Sequence, residues 1–286
     1  MKPYDPMRIL VVVAHPHDFT HMSGTCGKHA GRGDRVTVVS VTGGATTHNE
    51  PLEQELRKPK EQQDRAIVNE TVQQYATRKR TELENACRIF GITDVRVLPF
   101  ADQFLRPSDE LDRAIVQIIL AVRPHILLTH MPHTIASRGR IHQGANDHVE
   151  AGAAVERACQ LAATPDPDSN VKPHRIVKTF YMGVEWPGEW DLVIDVTEQA
   201  ARRVEAEKMF SSQGYDIESF AIKRLDVGAG VAGWHAGFGY GEAFVSARCQ
   251  FDEYLTFSEA ELHYAQRPSL EHIEAVGTRV QDMLDR

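Results

Sequence analysis

The chain has 286 residues, 25% of them charged and 42% hydrophobic, which is typical of a globular protein and argues against a disordered or fibrous one. Its formal net charge of −8 argues against general nucleic-acid binding, which needs a basic surface to neutralise phosphates. The four cysteines form neither a CxxC zinc motif nor a disulfide framework, and no apolar stretch has the length of a membrane span. We therefore expect a cytoplasmic protein with reduced thiols that acts on a small molecule.

The first predicted element is a strand that ends on potential metal ligands. Residues 9–13 are all Val, Ile or Leu, a pattern typical of a strand that is buried on both faces of a parallel sheet. His15, His17 and Asp18 follow directly. Open α/β sheets bind ligands outside the carboxyl ends of their strands, so these side chains stand where a ligand is expected. The segment suggests a metal site.

Strands and helices are predicted to alternate along the rest of the chain. The further strands cover residues 35–41, 95–100, 126–130, 176–182 and 191–196. The helices cover residues 23–31, 61–90, 109–122, 198–210 and 269–284, with one more that begins near residue 147 and a capping box at 258–261. This alternation predicts an α/β fold, a Rossmann-like three-layer sandwich with a mostly parallel sheet, followed by a C-terminal helical extension.

A metal site at the end of the first strand needs a ligand from elsewhere in the chain. A catalytic zinc ion has three protein ligands and one open position. His15 and Asp18 can supply two ligands, and the best third candidate is His148, which follows the fourth strand near the start of a helix. Both segments belong to the same predicted sheet, so both can reach one crevice.

The succession of motifs resembles that of the zinc-dependent PIG-L/LmbE-like deacetylases. Residues 14–18 (AHPHD) are similar to the family's A-H-P-D-D-E motif, and residues 146–148 (NDH) to its H-P-D-H motif. Elements similar to the family's R-x-x-E, D-x-T, K, S-Q and Y-A-E-A-F follow in the same order, at residues 79–82, 195–197, 208, 212–213 and 240–244. Together they span roughly residues 8–245.

The resemblance implies a chemistry and a ligand set. His15, Asp18 and His148 would hold one Zn²⁺ per chain, and zinc-activated water would hydrolyse an N-acetyl amide of a small polar metabolite such as an amino sugar. Residues 1–250 would form the catalytic domain, and residues 251–286 would be a helical extension of that domain. Relatives often form symmetric oligomers, so we expect a homo-oligomer with no nucleic-acid or membrane partner.

The chain departs from the family pattern at its catalytic positions. His17 stands where the family has the aspartate taken as general base, and Ala145 replaces the histidine assigned to transition-state stabilisation. Phe19 replaces an acidic residue, and residues 42–47 lack the glutamate of the family's T-x-G-E-x-G run. An imidazole can still accept a proton from water near neutral pH, so we predict that His17 is the base.

Other polar residues are candidates for the missing functions. The remaining predicted catalytic residues are Asp147, His142 and His48, and the alternatives for the electrophilic histidine are His130 and His133. The predicted substrate-binding residues are Arg138, Arg140, Glu50 and Lys79.

Two other functions remain open. In the same superfamily, a hydratase of aromatic ring-cleavage products also lacks the base aspartate and carries Phe after the metal-binding aspartate, as Phe19 does here. Such an enzyme would add water to an unsaturated di- or tricarboxylate, which Arg138 and Arg140 could bind through their guanidinium groups. The loss of two family catalytic positions also leaves open a metal- or ligand-binding protein without turnover.

Overall fold

A seven-stranded sheet forms the centre of the protein in a computed structural model, which describes residues 6–132, 146–167, 170–183, 190–249, 251 and 253–285. The strands are β1 Arg8–Val13, β2 Arg35–Thr42, β3 Asp94–Phe100, β4 Ile126–Thr129, β5 Lys178–Met182, β6 Leu192–Asp195 and β7 Gly241–Ser246. Their order in the sheet is β3-β2-β1-β4-β5-β7-β6. The first five are mutually parallel, and β7 runs antiparallel to both of its neighbours. The predicted mostly parallel sheet is confirmed.

Helices cover both faces of this sheet. They are α1 Ser23–Gly31, α2 Glu50–Leu56, α3 Arg65–Val68, α4 Val72–Ile89, α5 Asp109–Val122, α6 Asp147–Ala163, α7 Ala200–Lys208, α8 Glu218–Leu225, α9 Val231–Ala236, α10 Glu259–Gln266, α11 Ser269–Val276 and α12 Gln281–Leu284. Within the described ranges, no helix is both long enough and apolar enough to span a lipid bilayer.

Alternate residues of β1 pack into two separate cores, which makes the fold a three-layer sandwich. Side chains of a strand point to opposite faces in turn. On one face, β1 packs with residues of α1, α4 and the segment after α7, among them Cys26, Leu83 and Phe210. On the other face, Leu10 and Val12 pack with α5 and α6. Burial on both faces explains why this strand is a continuous apolar run.

Local capping decides where several predicted helices begin and end. The predicted start of the helix over 61–90 was wrong. Thr71 and Gln74 form a reciprocal capping box, so α4 begins at Val72. The segment before it contains a 3-10 turn and the short helix α3 instead. Residues 46–60 are polar and carry no helical pattern in the sequence, but they contain α2, which Asn49 caps. The predicted capping box of Ser258 and Glu261 is confirmed at the start of α10.

The C-terminal third contains elements that the sequence patterns did not predict. Helix α8, a π-helical turn at Asp226–Gly230 and helix α9 lie between α7 and β7. The terminal helix predicted over 269–284 is two helices, and α11 ends at Val276 before Gly277. The segment before α12 is anchored at Val280, which is buried and whose N–H donates to the Tyr240 hydroxyl at 2.9 Å.

Candidate metal centre

Two adjacent strand ends bring the three predicted ligands together. Strands β1 and β4 pair in parallel, so their carboxyl ends lie side by side. His15 caps the 3-10 turn Pro16–Met22 that follows β1, and its backbone N–H donates to Asp18 Oδ2 at 2.8 Å. His148 is the second residue of α6. One potential ligand atom from each of His15, Asp18 and His148 lies within 4.8 Å of the others.

A close approach of α6 to the end of β4 places His148 at this position. A Cβ atom on Gly152 would lie 2.6 Å from the carbonyl oxygen of His130, a backbone atom that cannot turn aside. Glycine is therefore the residue that allows α6 to lie so near the strand. Asn146 begins the helix, since its side chain accepts a hydrogen bond from the N–H of Val149.

The donor set fits a divalent metal ion. His15 Nδ1 lies 3.5 Å from Asp18 Oδ2, and His148 Nε2 lies 3.5 Å from Asp18 Oδ1. Ligands at about 2.0–2.1 Å from a tetrahedral zinc ion are about 3.4 Å apart. The two contacts with Asp18 match this spacing, and the three side chains, whose ligand atoms lie within 4.8 Å of one another, would draw together around an ion. Two imidazoles and one carboxylate would leave a coordination position open, as catalytic metal sites require.

Asp147 orients His15 from behind the ligands. Its Oδ2 accepts a hydrogen bond from His15 Nε2 at 3.0 Å, which leaves His15 Nδ1 as the ring atom available to a metal. The same carboxylate accepts the backbone N–H groups of Gln103, Phe104 and Leu105 at 2.8–2.9 Å. Gln103 and Phe104 have φ angles of 56° and 75°, so Asp147 also stabilises a strained turn.

The charges of this cluster favour a bound cation. Burial lowers the pKa of His15, but hydrogen bonds to Asp147 and Asp18 outweigh burial and raise that pKa to about 9. Burial also works against ionisation of Asp18, yet the nearby His148 and a hydrogen bond from His130 hold the pKa of Asp18 well below its usual range. Two carboxylates that retain their charge in a buried cluster will attract a metal ion in place of a proton.

His130 packs directly behind the ligands. It is fully buried, and its ring stacks on that of His148 with a centroid distance of 4.3 Å. Its Nε2 lies 3.0 Å from the N–H of Ala14 and 3.1 Å from Asp18 Oδ2. These contacts make His130 a supporting residue of Asp18 and His148, and its suggested electrophilic role stays a prediction.

His17 turns its ring towards α7 and α8. Its Nε2 lies 2.8 Å from Glu207 Oε1, and the Arg224 guanidinium contacts the same carboxylate oxygen. The ring also packs edge-on against Phe210 and Tyr215, at centroid distances of 5.1 and 4.6 Å. Although burial opposes ionisation of Glu207, the neighbouring His17 and Arg224 hold the pKa of this carboxyl well below its usual range.

Glu207 and Arg224 are partners of the predicted site residue His17 that the sequence interpretation missed. A signal for Glu207 exists, because Arg203 and Glu207 lie four residues apart on the face of α7 that also buries Ala200 and Val204. A charged pair on the buried face of an amphipathic helix needs partners inside the protein. Arg203 finds one in Glu242, at 3.5 Å.

Lys79 fixes the loop that follows β2. It is fully buried, and its Nζ donates to the carbonyl oxygens of Gly44 and Thr47 at 3.0 and 2.9 Å. Burial lowers the pKa of Lys79 to about 8. The loop lies beside the metal centre, since a Cβ on Gly44 would be 3.3 Å from Pro16 Cδ. This position gives Lys79 a structural role, and its contact with substrate stays a prediction.

His48 and Glu50 stand on the same loop and pair with each other. His48 Nδ1 lies 3.1 Å from Glu50 Oε1, and both side chains are substantially exposed. The hydroxyl of Tyr75 donates to the carbonyl oxygen of His48 and holds it in place. Their predicted roles stay predictions. Four further predicted residues lie outside the described part of the chain: His133, Arg138, Arg140 and His142.

The first strand, the metal cluster and the start of α6 fall within a region that matches a known family. A family model described as PIG-L, GlcNAc-PI de-N-acetylase, matches residues 10–159, which is more than half of the chain. The chain belongs to the PIG-L family. All three ligands and Asp147 lie inside the matched region, whereas Glu207 and Arg224 lie beyond it.

Curated relatives of this PIG-L family protein are named deacetylases. A 1D-myo-inositol 2-acetamido-2-deoxy-alpha-D-glucopyranoside deacetylase of Thermomonospora curvata is 30% identical over 177 residues, covering 55% of this chain and 54% of the relative. The enzyme of the same name from Streptomyces griseus is 29% identical over 204 residues, covering 65% and 58%. The chain thus spans between half and three fifths of the length of these relatives.

Solved structures share the fold of this PIG-L family protein. The 4-carboxy-2-hydroxymuconate hydratase GalB of Pseudomonas putida KT2440 superposes with a TM-score of 0.69 at 19% identity, covering 87% of this chain and all of the other. The N,N'-diacetylchitobiose deacetylase of Pyrococcus horikoshii gives 0.67 at 18% identity, covering 95% and 91%. Both confirm the predicted Rossmann-like architecture, and at such identities they show the fold alone.

Proposed function

We propose that this PIG-L family protein is a zinc-dependent hydrolase that removes the acetyl group from an N-acetylated amino sugar or a related small polar metabolite. The observation that carries the proposal is the grouping of His15, Asp18 and His148 with ligand atoms within 4.8 Å of one another, and with Asp147 behind His15. The curated relatives are named as deacetylases of a 2-acetamido sugar, which supports the choice of substrate class.

A metal ion bound by these ligands would polarise the acetyl carbonyl and lower the pKa of a water molecule. The chain's own residues then have to receive a proton and deliver it to the departing amine. His17 is the proposed group, because it follows His15 and precedes Asp18 in the turn after β1. Position 17 is also where the family carries its base.

Glu207 prepares His17 for this task. A carboxylate only accepts hydrogen bonds, so the 2.8 Å contact puts the proton of the neutral imidazole on Nε2. Nδ1 is then the ring atom with a free lone pair, able to take a proton. Arg224 keeps Glu207 ionised, so that His17 remains oriented. The His17–Glu207 pair replaces the single carboxylate of the family pattern.

A second candidate is the addition of water to an unsaturated carboxylate. It is favoured by the imidazole at position 17 in place of a carboxylate, and by Phe19 directly after the metal-binding Asp18. This hydratase would need cationic groups for the carboxylates of its substrate. Arg138 and Arg140 remain the proposed residues.

The test compares the two reactions on one preparation. The protein is stripped of metal, reloaded with Zn²⁺, and assayed for free amine released from N-acetylglucosamine-type glycosides and for loss of absorbance of unsaturated dicarboxylates. We expect amine release that depends on zinc, and a large fall in kcat for His17→Ala with unchanged metal content. His17→Asp, which restores the family's base, should recover part of the rate.

The outcomes separate the candidates. Zinc-dependent turnover of the unsaturated carboxylates alone would overturn the deacetylase proposal in favour of the hydratase. Stoichiometric zinc with no turnover of either class would favour a binding protein without catalysis. Full deacetylase activity in His17→Ala would refute the role of His17 as base while leaving the metal centre intact.

A further inference from the structure

A buried arginine on α7 lacks the hydrogen bonds that its burial calls for. Arg203 is 6% exposed, and its guanidinium donates no hydrogen bond to a residue that the structure describes. Its contact with Glu242 is an ion pair at 3.5 Å, which is longer than a charge-assisted hydrogen bond. A buried polar group without hydrogen-bond partners usually marks a place where a water molecule, an ion or a ligand binds.

The ion-pair partner of Arg203 is already engaged by the start of α1. The two carboxylate oxygens of Glu242 accept hydrogen bonds from the N–H groups of Gly24 and Thr25, at 2.9 and 2.7 Å. These N–H groups lie at the positive end of a helix, so they offset part of the charge of Glu242. The hydrogen-bond donors of Arg203 therefore remain available to a further acceptor.

A small cavity, here called the Arg203 cavity, lies against this guanidinium. It has a volume of about 40 Å³, and Glu242, His21 and Trp190 also line it. A cavity needs about 10–15 Å³ for each water molecule, so this one holds about three waters or one solute of similar size. Its further described walls are mostly apolar, and they include Val227, Ala229, Val231, Ala232 and Ala243. A small solute with one charged end and one methyl group fits this lining.

The Arg203 cavity lies one side chain away from the proposed base. His21 lines the cavity, and its ring centroid lies 5.9 Å from that of His17. Both histidines belong to the 3-10 turn that follows β1, and the same turn carries the metal ligand Asp18. The cavity is therefore close to the place where the proposed reaction releases its smaller product.

The charges around His21 favour an anion in the cavity. Burial is the largest of the causes that lower the pKa of His21 to about 3. The neighbouring His17, Arg203 and Arg224 lower this pKa further. The Glu207 carboxylate opposes them and does not reverse the shift. A positive potential at this wall of the cavity attracts anions.

We propose that the Arg203 cavity binds a small carboxylate anion, and that its natural occupant is the acetate released from the substrate. A planar guanidinium pairs with a carboxylate through two parallel hydrogen bonds, and the apolar walls receive the methyl group. The choice of acetate rests on the proposed function, whereas the site for a small carboxylate does not. The cavity gives the acetate a binding site apart from that of the larger amine product.

Acetate binding to the metal-free protein tests the site. A carboxylate also binds zinc directly, so the metal is removed before this measurement, and circular dichroism confirms that the protein is folded. Saturation-transfer NMR of the acetate methyl group gives the dissociation constant in a titration. Acetamide has a similar shape without the charge, and benzoate has the charge but exceeds the size of the cavity. We expect acetate to bind, and both comparison ligands to bind at least tenfold more weakly.

Two variants with matched controls assign the binding to the cavity. Arg203→Lys keeps a positive charge beside Glu242 but loses the planar pair of donors, and Ala232→Val fills the cavity from a buried position of α9. Arg202→Lys and Ala236→Val make the same changes on the same helices, outside the described lining of the cavity. We expect at least tenfold weaker acetate binding in the first two variants and a change of less than twofold in the controls.

The outcomes distinguish this proposal from the proposed function. A metal-free wild type that binds no acetate, acetamide that binds as tightly as acetate, or unchanged binding in a folded cavity variant would overturn the site. Deacetylase activity combined with any of these results would leave the proposed function standing alone. Acetate binding that depends on Arg203, in a protein that releases no amine from N-acetyl sugars, would support the carboxylate site and refute acetate as its natural occupant.

Discussion

Asp147→Asn tests how the metal centre is positioned. Asp147 accepts four hydrogen bonds, from His15 and from the N–H groups of residues 103–105. An amide has a single acceptor oxygen, so the substituted side chain loses two of these bonds in either orientation. Because hydrogen bonds to charged groups contribute about 1.5–3 kcal/mol each, we expect a loss of about 3–6 kcal/mol in the free energy of unfolding without metal.

The effect on metal binding follows from the contact with His15. Removing the partner of a ligating histidine costs about 10–100-fold in metal affinity, or about 1.4–2.7 kcal/mol. Competition with a chromophoric chelator measures this affinity. Asp102→Asn is the matched control, since Asp102 is also buried and holds a neighbouring loop through Thr46 and Thr47. Zinc affinity of Asp147→Asn within twofold of wild type, or an equal loss in Asp102→Asn, would refute the orienting role.

Three further predictions concern packing and pH. Gly152→Ala should lower the free energy of unfolding by about 1–3 kcal/mol and should also lower zinc affinity, because its Cβ would meet the His130 carbonyl. Gly31→Ala places its Cβ in open space and should lower neither quantity. Thermal melts and chelator titrations measure the two effects. The pKa of Lys79 is lowered from 10.5 to about 8 in the folded state, so Lys79 loses its proton at a lower pH in the folded protein than in the unfolded chain. Urea titrations should therefore show wild type gaining stability over Lys79→Met as the pH rises from about 8 to 10.5. The pKa of Glu207 is lowered in the folded state, so wild type should have its full excess in free energy of unfolding over Glu207→Gln above pH 4.5. Urea titrations at lower pH should show this excess shrinking. A difference that stays constant with pH would contradict the buried ion pair.

The grouping of His15, Asp18 and His148 could be predicted because it follows from local features of the chain and from strand pairing. His15 and Asp18 follow a strand whose apolar run is unmistakable, and His148 follows a helix cap at Asn146. The carboxyl ends of parallel neighbours meet at one edge, so sequence order was enough to bring them together. The partners of His17 could not be found in this way. Glu207 is 190 residues away, and only tertiary packing of α7 against the turn after β1 brings it into contact.

The fold was predictable where buried strands alternate with amphipathic helices, from β1 to α6. Beyond that region, short elements carry weak periodicity. Strand β7 has only three consecutive apolar residues, and α8 and α9 are separated by a glycine-containing π-helical turn. The antiparallel position of β7 between β5 and β6 depends on tertiary contacts. One of them caps α1, since the Glu242 carboxylate accepts hydrogen bonds from the N–H groups of Gly24 and Thr25. No local pattern encodes that pairing.

The metal content of variants tests whether Asp18 and His148 bind a metal ion together with His15. Wild type, Asp18→Ala, His148→Ala and the double variant are dialysed against limiting Zn²⁺ and analysed by mass spectrometry of the metal, with circular dichroism to confirm folding. We expect one zinc per chain in the wild type and almost none in the folded double variant. A folded double variant that still binds one zinc per chain would contradict the assignment of the site and the function proposed from it.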